Sequence, residues 1–364
     1  MHLTLFFTRG NSLDQWHSSG SLEREILLYK ALQRRGMQIS FVTYGTSGEE
    51  QFTQSIPGIE ILYNRWNLPL PVYEILIPWL HSKSLRKSDL FKTNQLKGAH
   101  TALIAGRMWK KPVIVRVGYL WSKFLSRERG SMSKAHLACY YENLNLKRAD
   151  KIIVTTQEIR KELLHRLPGI EGKIIIIPNY VDTNLFSPDP GRLSSRRLIF
   201  VGRFSAQKNL SSLIEAIAPL DTELEIIGTG ELEQKLKNQA SASGANVTFS
   251  GAIPNEKLPI SLNRAAVFVL PSLYEGHPKA LLEAMSCGLA VIGTDVDGIR
   301  ELICHGEIGW LCQPDVASIR TAIIHLLEYP EIREDLGRNA RKYVVKHFSI
   351  DQIANQEFEL YQRL

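Results

Sequence analysis

One pattern constrains this chain more than any other: short apolar runs alternate with segments of helical period along nearly its whole length. "LTLFF" reads as a strand, "SLEREILLYKALQRRG" as an amphipathic helix stopped at Gly36, and "ISFVTYG" as the next strand. Further strands are read at "PVIVRVG", "KIIVTT", "KIIIIPN", "RLIFVGR", "LEIIGTG", "VTFSG", "AVFVLPS" and "AVIGTDV". Strands that are apolar throughout, with helices between them, predict parallel sheets covered on both faces. The series restarts after "NYVDTNLFSPDPGRLSSRR", a stretch broken by Pro, Gly191 and Ser. A length of 364 residues also fits two domains better than one core. The expected architecture is therefore α/β, two Rossmann-like domains facing across a cleft. The boundary is expected near residues 182–195, giving domains at 1–185 and 186–346. A final helix over 347–364 is expected to pack back on the first domain.

In open α/β sheets, ligands bind beyond the carboxyl ends of the strands. Two such places are informative in the second half. After "LPSLYEG" comes "HPKALLEAMSCG". Pro278 suits a first helical turn and Gly288 a helix stop, so a helix is predicted from near Pro278 to near Cys287. Its exposed amides and dipole make an anion pocket, which Gly276 lets a phosphate approach closely. Glu275 lies just before that helix and Glu283 about two turns along it. Ionised carboxylates accept hydrogen bonds, which suits the hydroxyls of a sugar and of a ribose. The second place is "FVGRFSAQKN", where Arg203 and Lys208 project from a loop between a strand and a helix. Two fixed cations there would neutralise a departing diphosphate.

These stretches resemble the large group of retaining GT-B glycosyltransferases called family 4, or glycosyl transferases group 1. The resemblance is carried by "IIPNYVDTNLFSP", "FVGRFSAQKN", "VTFSGAIPNEKL" and "PSLYEGHPKALLEAMSCGLAVIGTDVDGIRELI", most of residues 174–315. It implies a GT-B fold and transfer of a sugar from a UDP- or GDP-sugar to a hydroxyl of a sugar or lipid-linked acceptor, with retention of configuration. Polysaccharide, lipopolysaccharide or glycolipid synthesis is the implied setting. By the same resemblance Glu275 contacts the donor sugar, Glu283 the ribose, and Arg203 with Lys208 the diphosphate. Gly202, Gly276, His277 and Pro278 line the donor site. No cofactor or metal is implied: a DxD string marks a metal–diphosphate site in a different glycosyltransferase fold, and Asp295–Asp297 here read as loop residues.

The first domain departs more from the family pattern. Relatives carry two glycines before the first long helix, and here Gly20 matches one of them. Many relatives end the "KPVIVRVG" strand in His–Gly, and here Gly118 falls where that His would be. Arg116 and Tyr119 nearby, and Lys92, Asn94 and Gln95 at the end of "DLFKTNQ", are acceptor-side candidates.

Charge and cysteine usage bound the rest. The net charge is +7, much of it in residues 81–111, where Lys83, Arg86, Lys87, Lys92, Lys97, Arg107, Lys110 and Lys111 face one acid, Asp89. This stretch is expected to be a basic surface, which would attract anionic lipid on a peripheral membrane face. Nothing resembles a nucleic-acid motif. The four cysteines lack CxxC spacing and fit reduced thiols in a cytoplasmic protein. The start reads as a strand and not as a signal peptide. Two other functions stay open: a sugar-nucleotide-binding protein without turnover, and a nucleotide-sugar epimerase. A dehydrogenase would need GxGxxG after the first strand, which "FFTRGNSLDQW" lacks.

Overall fold

The computed structural model describes residues 1–127, 132–189 and 196–364. Residues 190–195 of the expected linker lie outside the described residues. The chain forms two compact units, Met1–Pro178 with Ala354–Leu364, and Asn179–Ile353.

Among the described residues of the first unit, seven strands form one parallel sheet. They are β1 His2–Phe6, β2 Gln38–Val42, β3 Ile59–Leu62, β4 Leu90–Thr93, β5 Val113–Val117, β6 Lys151–Val154 and β7 Ile174–Ile176, in the order β3-β2-β1-β4-β5-β6-β7. The β1–β2 ladder starts at His2↔Gln38 and the β1–β4 ladder at Leu3↔Leu90. Leu3, Leu5, Phe41, Phe91, Val115 and Ile152 are all buried. That is why these strands read as unbroken apolar runs. Helix Leu22–Gln33 ends where the sequence places its stop, with Gly36 left-handed at φ 82°. β3 lies at one edge of the sheet and is absent from the apolar series. Its "IEIL" carries Glu60, so it gives only a short, mixed signal.

The second unit repeats the design. Its strands are β8 Leu198–Val201, β9 Leu224–Ile227, β10 Val247–Gly251, β11 Val267–Leu270, β12 Ala290–Thr294 and β13 Trp310–Cys312, parallel in the order β10-β9-β8-β11-β12-β13. In both sheets the first strand of the unit lies inside the sheet and the strand order reverses beside it, between β1 and β4 and between β8 and β11. These are the topological switch points, where the flanking loops diverge and leave a crevice. The β8–β11 ladder ends at Ile199↔Phe268, short of the ends of both strands.

Lys92 corrects the sequence reading. It is not part of a basic surface or an open strand end: it is fully buried in β4. Its ammonium pairs with Glu357, on helix Ile350–Gln362, and stands 5.8 Å from the centroids of the Tyr29 and Tyr361 rings. Tyr361 donates its hydroxyl to the same carboxylate. Burial pushes the Lys92 ammonium down from its ordinary range, and Glu357 opposes that shift. Nothing in a linear sequence distinguishes this lysine from its exposed neighbours, because its partner lies 265 positions away.

Among the described residues no helix is long and apolar enough to cross a membrane.

Removing one member of a buried pair strands the other charge, which costs about 3–5 kcal/mol. Glu357→Ala is therefore expected to lower the urea midpoint of the first unit markedly. Lys92→Met with Glu357→Leu should recover most of the loss. A single variant as stable as the parent would show that the pair contributes nothing.

Candidate functional site

The loop after β8 is built on close backbone approach. Gly202 and Phe204 donate their amides to Ile227 and Thr229 carbonyls at 2.9 Å each. A Cβ on Gly228 would stand 2.0 Å from the Gly202 carbonyl oxygen, and one on Gly230 2.4 Å from that of Phe204. Gly228 also has φ 138°. No side chain fits at either position, so "GTG" after β9 is required by the strand beside it. The loop then forms a short 3₁₀ turn, Ala206–Lys208, and Asn209 turns left-handed at φ 52° before helix Leu210–Ile217. The Asn209 amide donates to Pro271 at 3.1 Å and to Pro314 at 2.9 Å, tying this loop to those after β11 and β13.

The loop after β11 meets it. Leu273 donates its amide to the Gln207 carbonyl at 2.8 Å, and the Gln207 side chain donates to the Tyr274 carbonyl at 2.8 Å. Between them Lys208 Nζ lies 2.5 Å from Glu275 Oε1. The same carboxylate accepts from Ser272 Oγ at 2.7 Å and from Gln207 Nε2 at 3.4 Å. Both charged groups are largely buried. Two of the residues singled out in the sequence, Lys208 and Glu275, are thus in direct contact. Arg203 is exposed in the same loop as Lys208, and its guanidinium pairs with no carboxylate among the described residues.

Helix Lys279–Ser286 follows, with Pro278 as its cap and Gly288 left-handed at φ 69° after it, as the sequence predicts. Its far end is held by Arg341, which donates to the carbonyls of Phe186, Ser286 and Thr183. Its near end carries Gly276 and His277. A Cβ on Gly298 would lie 1.9 Å from the Gly276 carbonyl oxygen, so the "DVDG" loop is packed against the helix entrance. Asp295 and Asp297 both face Arg300, at 2.5 Å and 3.9 Å. His277 is buried, its carbonyl accepting from Asn179 Nδ2 at 2.6 Å and its ring against Phe348. Glu283 is only 3% exposed and accepts from Asn255 Nδ2 at 3.0 Å.

In the first unit the sequence candidates lie at the carboxyl ends of β1, β4 and β5, or one element beyond. Gly20, at φ 67°, enters helix Leu22–Gln33, but a capped turn of helix, Leu13–Ser18, intervenes between it and β1. The loop that leaves β1 directly is Phe7–Ser12. Asn94 is partly buried and donates its amide to the Phe6 carbonyl at 2.8 Å. Arg116 and Tyr119 are partly buried, Tyr119 with its ring on Phe124. Gln95 explains Gly118: its Oε1 accepts the Gly118 amide at 3.0 Å, and a Cβ on Gly118 would lie 2.8 Å from its Nε2. The amide of Gln95 lies against the place where a larger side chain would begin.

Residues 186–343 match the family described as Glycosyl transferases group 1, and residues 26–185 match Glycosyltransferase Family 4. The chain belongs to this glycosyltransferase family. Its relatives include an alpha-maltose-1-phosphate synthase of Mycolicibacterium smegmatis, 25% identical over 63% of this chain and 67% of that protein. An MMP alpha-(1->4)-mannosyltransferase of Mycolicibacterium hassiacum is 29% identical over 71% of this chain and 61% of that protein. The chain thus spans roughly two thirds of the length of such relatives. Among solved structures, a sucrose-phosphate synthase from Thermosynechococcus elongatus superposes with TM-score 0.82 at 21% identity, covering 100% of this chain and 98% of that one. Anabaena Alr3699/HepE, solved with UDP and glucose, gives 0.79 at 20% identity over 100% of both chains. These likenesses establish the GT-B fold for this glycosyltransferase.

Three polar residues around its candidate site escaped the sequence reading: Gln207, Ser272 and Asn255. The first two flank residues that were singled out, one position before Lys208 and three before Glu275. Asn255 had no such marker, since it meets Glu283 from a separate loop 28 positions earlier.

Proposed function

We propose that this protein transfers a sugar from a nucleoside-diphosphate sugar to a hydroxyl acceptor, with retention of configuration at the anomeric carbon. The supporting observation is the Lys208–Glu275 contact at the β8/β11 switch point, beside an exposed Arg203 and the N-terminus of helix Lys279–Ser286. An ammonium has three N–H donors, and Glu275 engages one. The others, with Arg203 and the helix N-terminus, suit the oxygens of a diphosphate. Glu275 and the backbone at Gly276, His277 and Pro278 hold the donor sugar. Gly202 allows the phosphates to come close. Glu283, fixed by Asn255, takes the ribose hydroxyls.

In the reaction, the bond from the anomeric carbon to the diphosphate oxygen breaks first, and its electron pair leaves with the diphosphate. Arg203 and Lys208 stabilise that negative charge, so no metal is needed for it. The acceptor oxygen then bonds to the anomeric carbon on the face the diphosphate has left, and its proton passes to the departing phosphate oxygen. The donor is a UDP- or GDP-sugar, and the UDP complex of the Anabaena neighbour favours uridine. Asn94, Arg116 and Tyr119 are proposed as acceptor-side residues and Gly20 as a donor-binding one.

A nucleoside diphosphate release assay tests this function with UDP- and GDP-sugars. Turnover is expected, and Lys208→Ala and Glu275→Ala should each lower it roughly 10²–10³-fold. Donor binding without turnover on any acceptor would instead identify a sugar-nucleotide-binding protein.

We further propose that the first unit works at an anionic membrane surface. Helix Leu70–Leu80, "LPVYEILIPWL", supports this. Its one carboxylate, Glu74, is buried, while Val72, Ile75 and Trp79 on its outer face are 43%, 65% and 52% exposed. Exposed Arg65, Lys83, Arg86 and Lys87 flank it. An apolar stripe with Trp and a basic border suits the boundary between headgroups and acyl chains. Pelleting with phosphatidylcholine vesicles should rise when phosphatidylglycerol is included and fall with salt and in Ile75→Glu. Equal pelleting on neutral and anionic vesicles would exclude it.

A further inference from the structure

The loop that leaves β1 contains an arginine that the transfer chemistry above does not use. Arg9 follows the strand by three residues, at the β1/β4 switch point, where a ligand of this sheet would lie. Its backbone is fixed. The Arg9 amide donates to the Lys97 carbonyl at 3.1 Å, and a Cβ on Gly98 would stand 2.9 Å from that amide nitrogen. Gly98 has φ 97°, so the loops after β1 and β4 touch only because that position is glycine.

The side chain is fixed as well, in an unusual way. A guanidinium paired with a carboxylate frequently presents two parallel N–H groups to both carboxylate oxygens. Arg9 does not. Its single Nε–H is shared between Glu74 Oε2 at 2.8 Å and Oε1 at 3.0 Å. Its two terminal nitrogens, which carry four of the five donors, hydrogen-bond no described residue. The side chain is 37% exposed. Glu74 is buried and is held from the other side by His100 Nε2 at 3.1 Å, whose Nδ1 in turn lies 2.8 Å from the Tyr141 hydroxyl. Burial pushes the Glu74 carboxyl up, but the hydrogen bonds from His100 and Arg9 outweigh it and hold it below its ordinary value. Lys97, partly buried beside Arg9, has its ammonium 5.7 Å from the Trp121 ring centroid and pairs with no carboxylate among the described residues. Arg9 is thus paired with one carboxylate and Lys97 with none among the described residues, leaving an excess of positive charge.

We infer that Arg9 presents its terminal N–H fork, with Lys97 beside it, to an oxyanion carried by the acceptor, a phosphate above all. Glu74 and His100 are positioning residues: they orient the fork through Nε and do not touch the ligand. The acceptor class is then a phosphorylated sugar or a lipid phosphate, and not a neutral sugar. This rests on the glycosyl-transfer function proposed above, but its test reads binding and needs no turnover.

The full chain carrying Arg203→Ala and Lys208→Ala, which removes the donor-side cations, is titrated calorimetrically with inorganic phosphate, glucose 6-phosphate, a short-chain phosphatidic acid and glucose. The phosphates are expected to bind and glucose is not. Adding Arg9→Met should weaken phosphate binding about tenfold, the size of one charge-assisted hydrogen-bonded contact. Arg9→Lys should restore little, because a point charge cannot reproduce the fork. Glu74→Gln should weaken binding while Lys161→Met, an exposed charge elsewhere in this unit, should not. Tighter glucose 6-phosphate would assign a soluble sugar phosphate as the source, and tighter phosphatidic acid a lipid-linked one. Phosphate binding that is absent, or unchanged by Arg9→Met in a variant that melts like its parent, would overturn the inference.

Discussion

The second unit is organised by one ion pair. Lys208 and Glu275 come from loops that follow different strands, and both are largely buried. Each would be costly there without the other, so the loops after β8 and β11 must lie against one another. Ser272 and Gln207 donate to the same carboxylate and help fix it in place. Beneath them, Gly202 against Gly228 and Gly276 against Gly298 bring backbone to backbone where no side chain fits. The result is a short span of rigid chain that carries a cation, a carboxylate and a helix N-terminus at the place where strand order reverses.

The first unit uses the same topology with different electrostatics. Three of its buried carboxylates have a cation: Glu357 has Lys92, Glu142 has Arg166, and Glu74 has Arg9 with His100, whereas Glu49 accepts from the Leu13 and Asp14 amides. The first two lie in well-enclosed surroundings and belong to the architecture. Glu142 also accepts from the Ser122 amide and hydroxyl, fixing the start of helix Trp121–Arg127. The Arg9 pair is different because its cation is only half engaged. That asymmetry separates a group that holds the fold from one with donors left for a ligand.

Features carried by local chemistry were legible in the sequence. Apolar runs such as "RLIFVG" and "AVFVLP" mark strands buried on both faces, and Pro278 with Gly288 brackets a helix that starts one residue after the proline and ends two before the glycine. The spacing of Glu275 and Glu283 across a helix start needed no structure to notice. Features set by distant partners were not legible. Lys92 sits in a run of basic residues and looks like one more of them, yet Glu357 and two tyrosines enclose it. Gly118 looks like a lost side chain, and the Gln95 amide packed against it gives the physical reason. Arg9 and Glu74 are 65 positions apart, and only the packing of helix Leu70–Leu80 brings them together. Glu74 even misleads, since the one acid in an apolar helix would be placed on its outer face by periodicity alone.

The central claim is that a diphosphate docks on Arg203, Lys208 and the helix entrance. Calorimetric titration of the protein with UDP and with uridine tests it most directly. The account predicts that UDP binds about 100-fold tighter than uridine, from two charge-assisted contacts. It also predicts that this gap closes in the Arg203→Ala, Lys208→Ala double variant while uridine binding persists. Equal affinity for UDP and uridine, or a gap that survives loss of both cations, would contradict it.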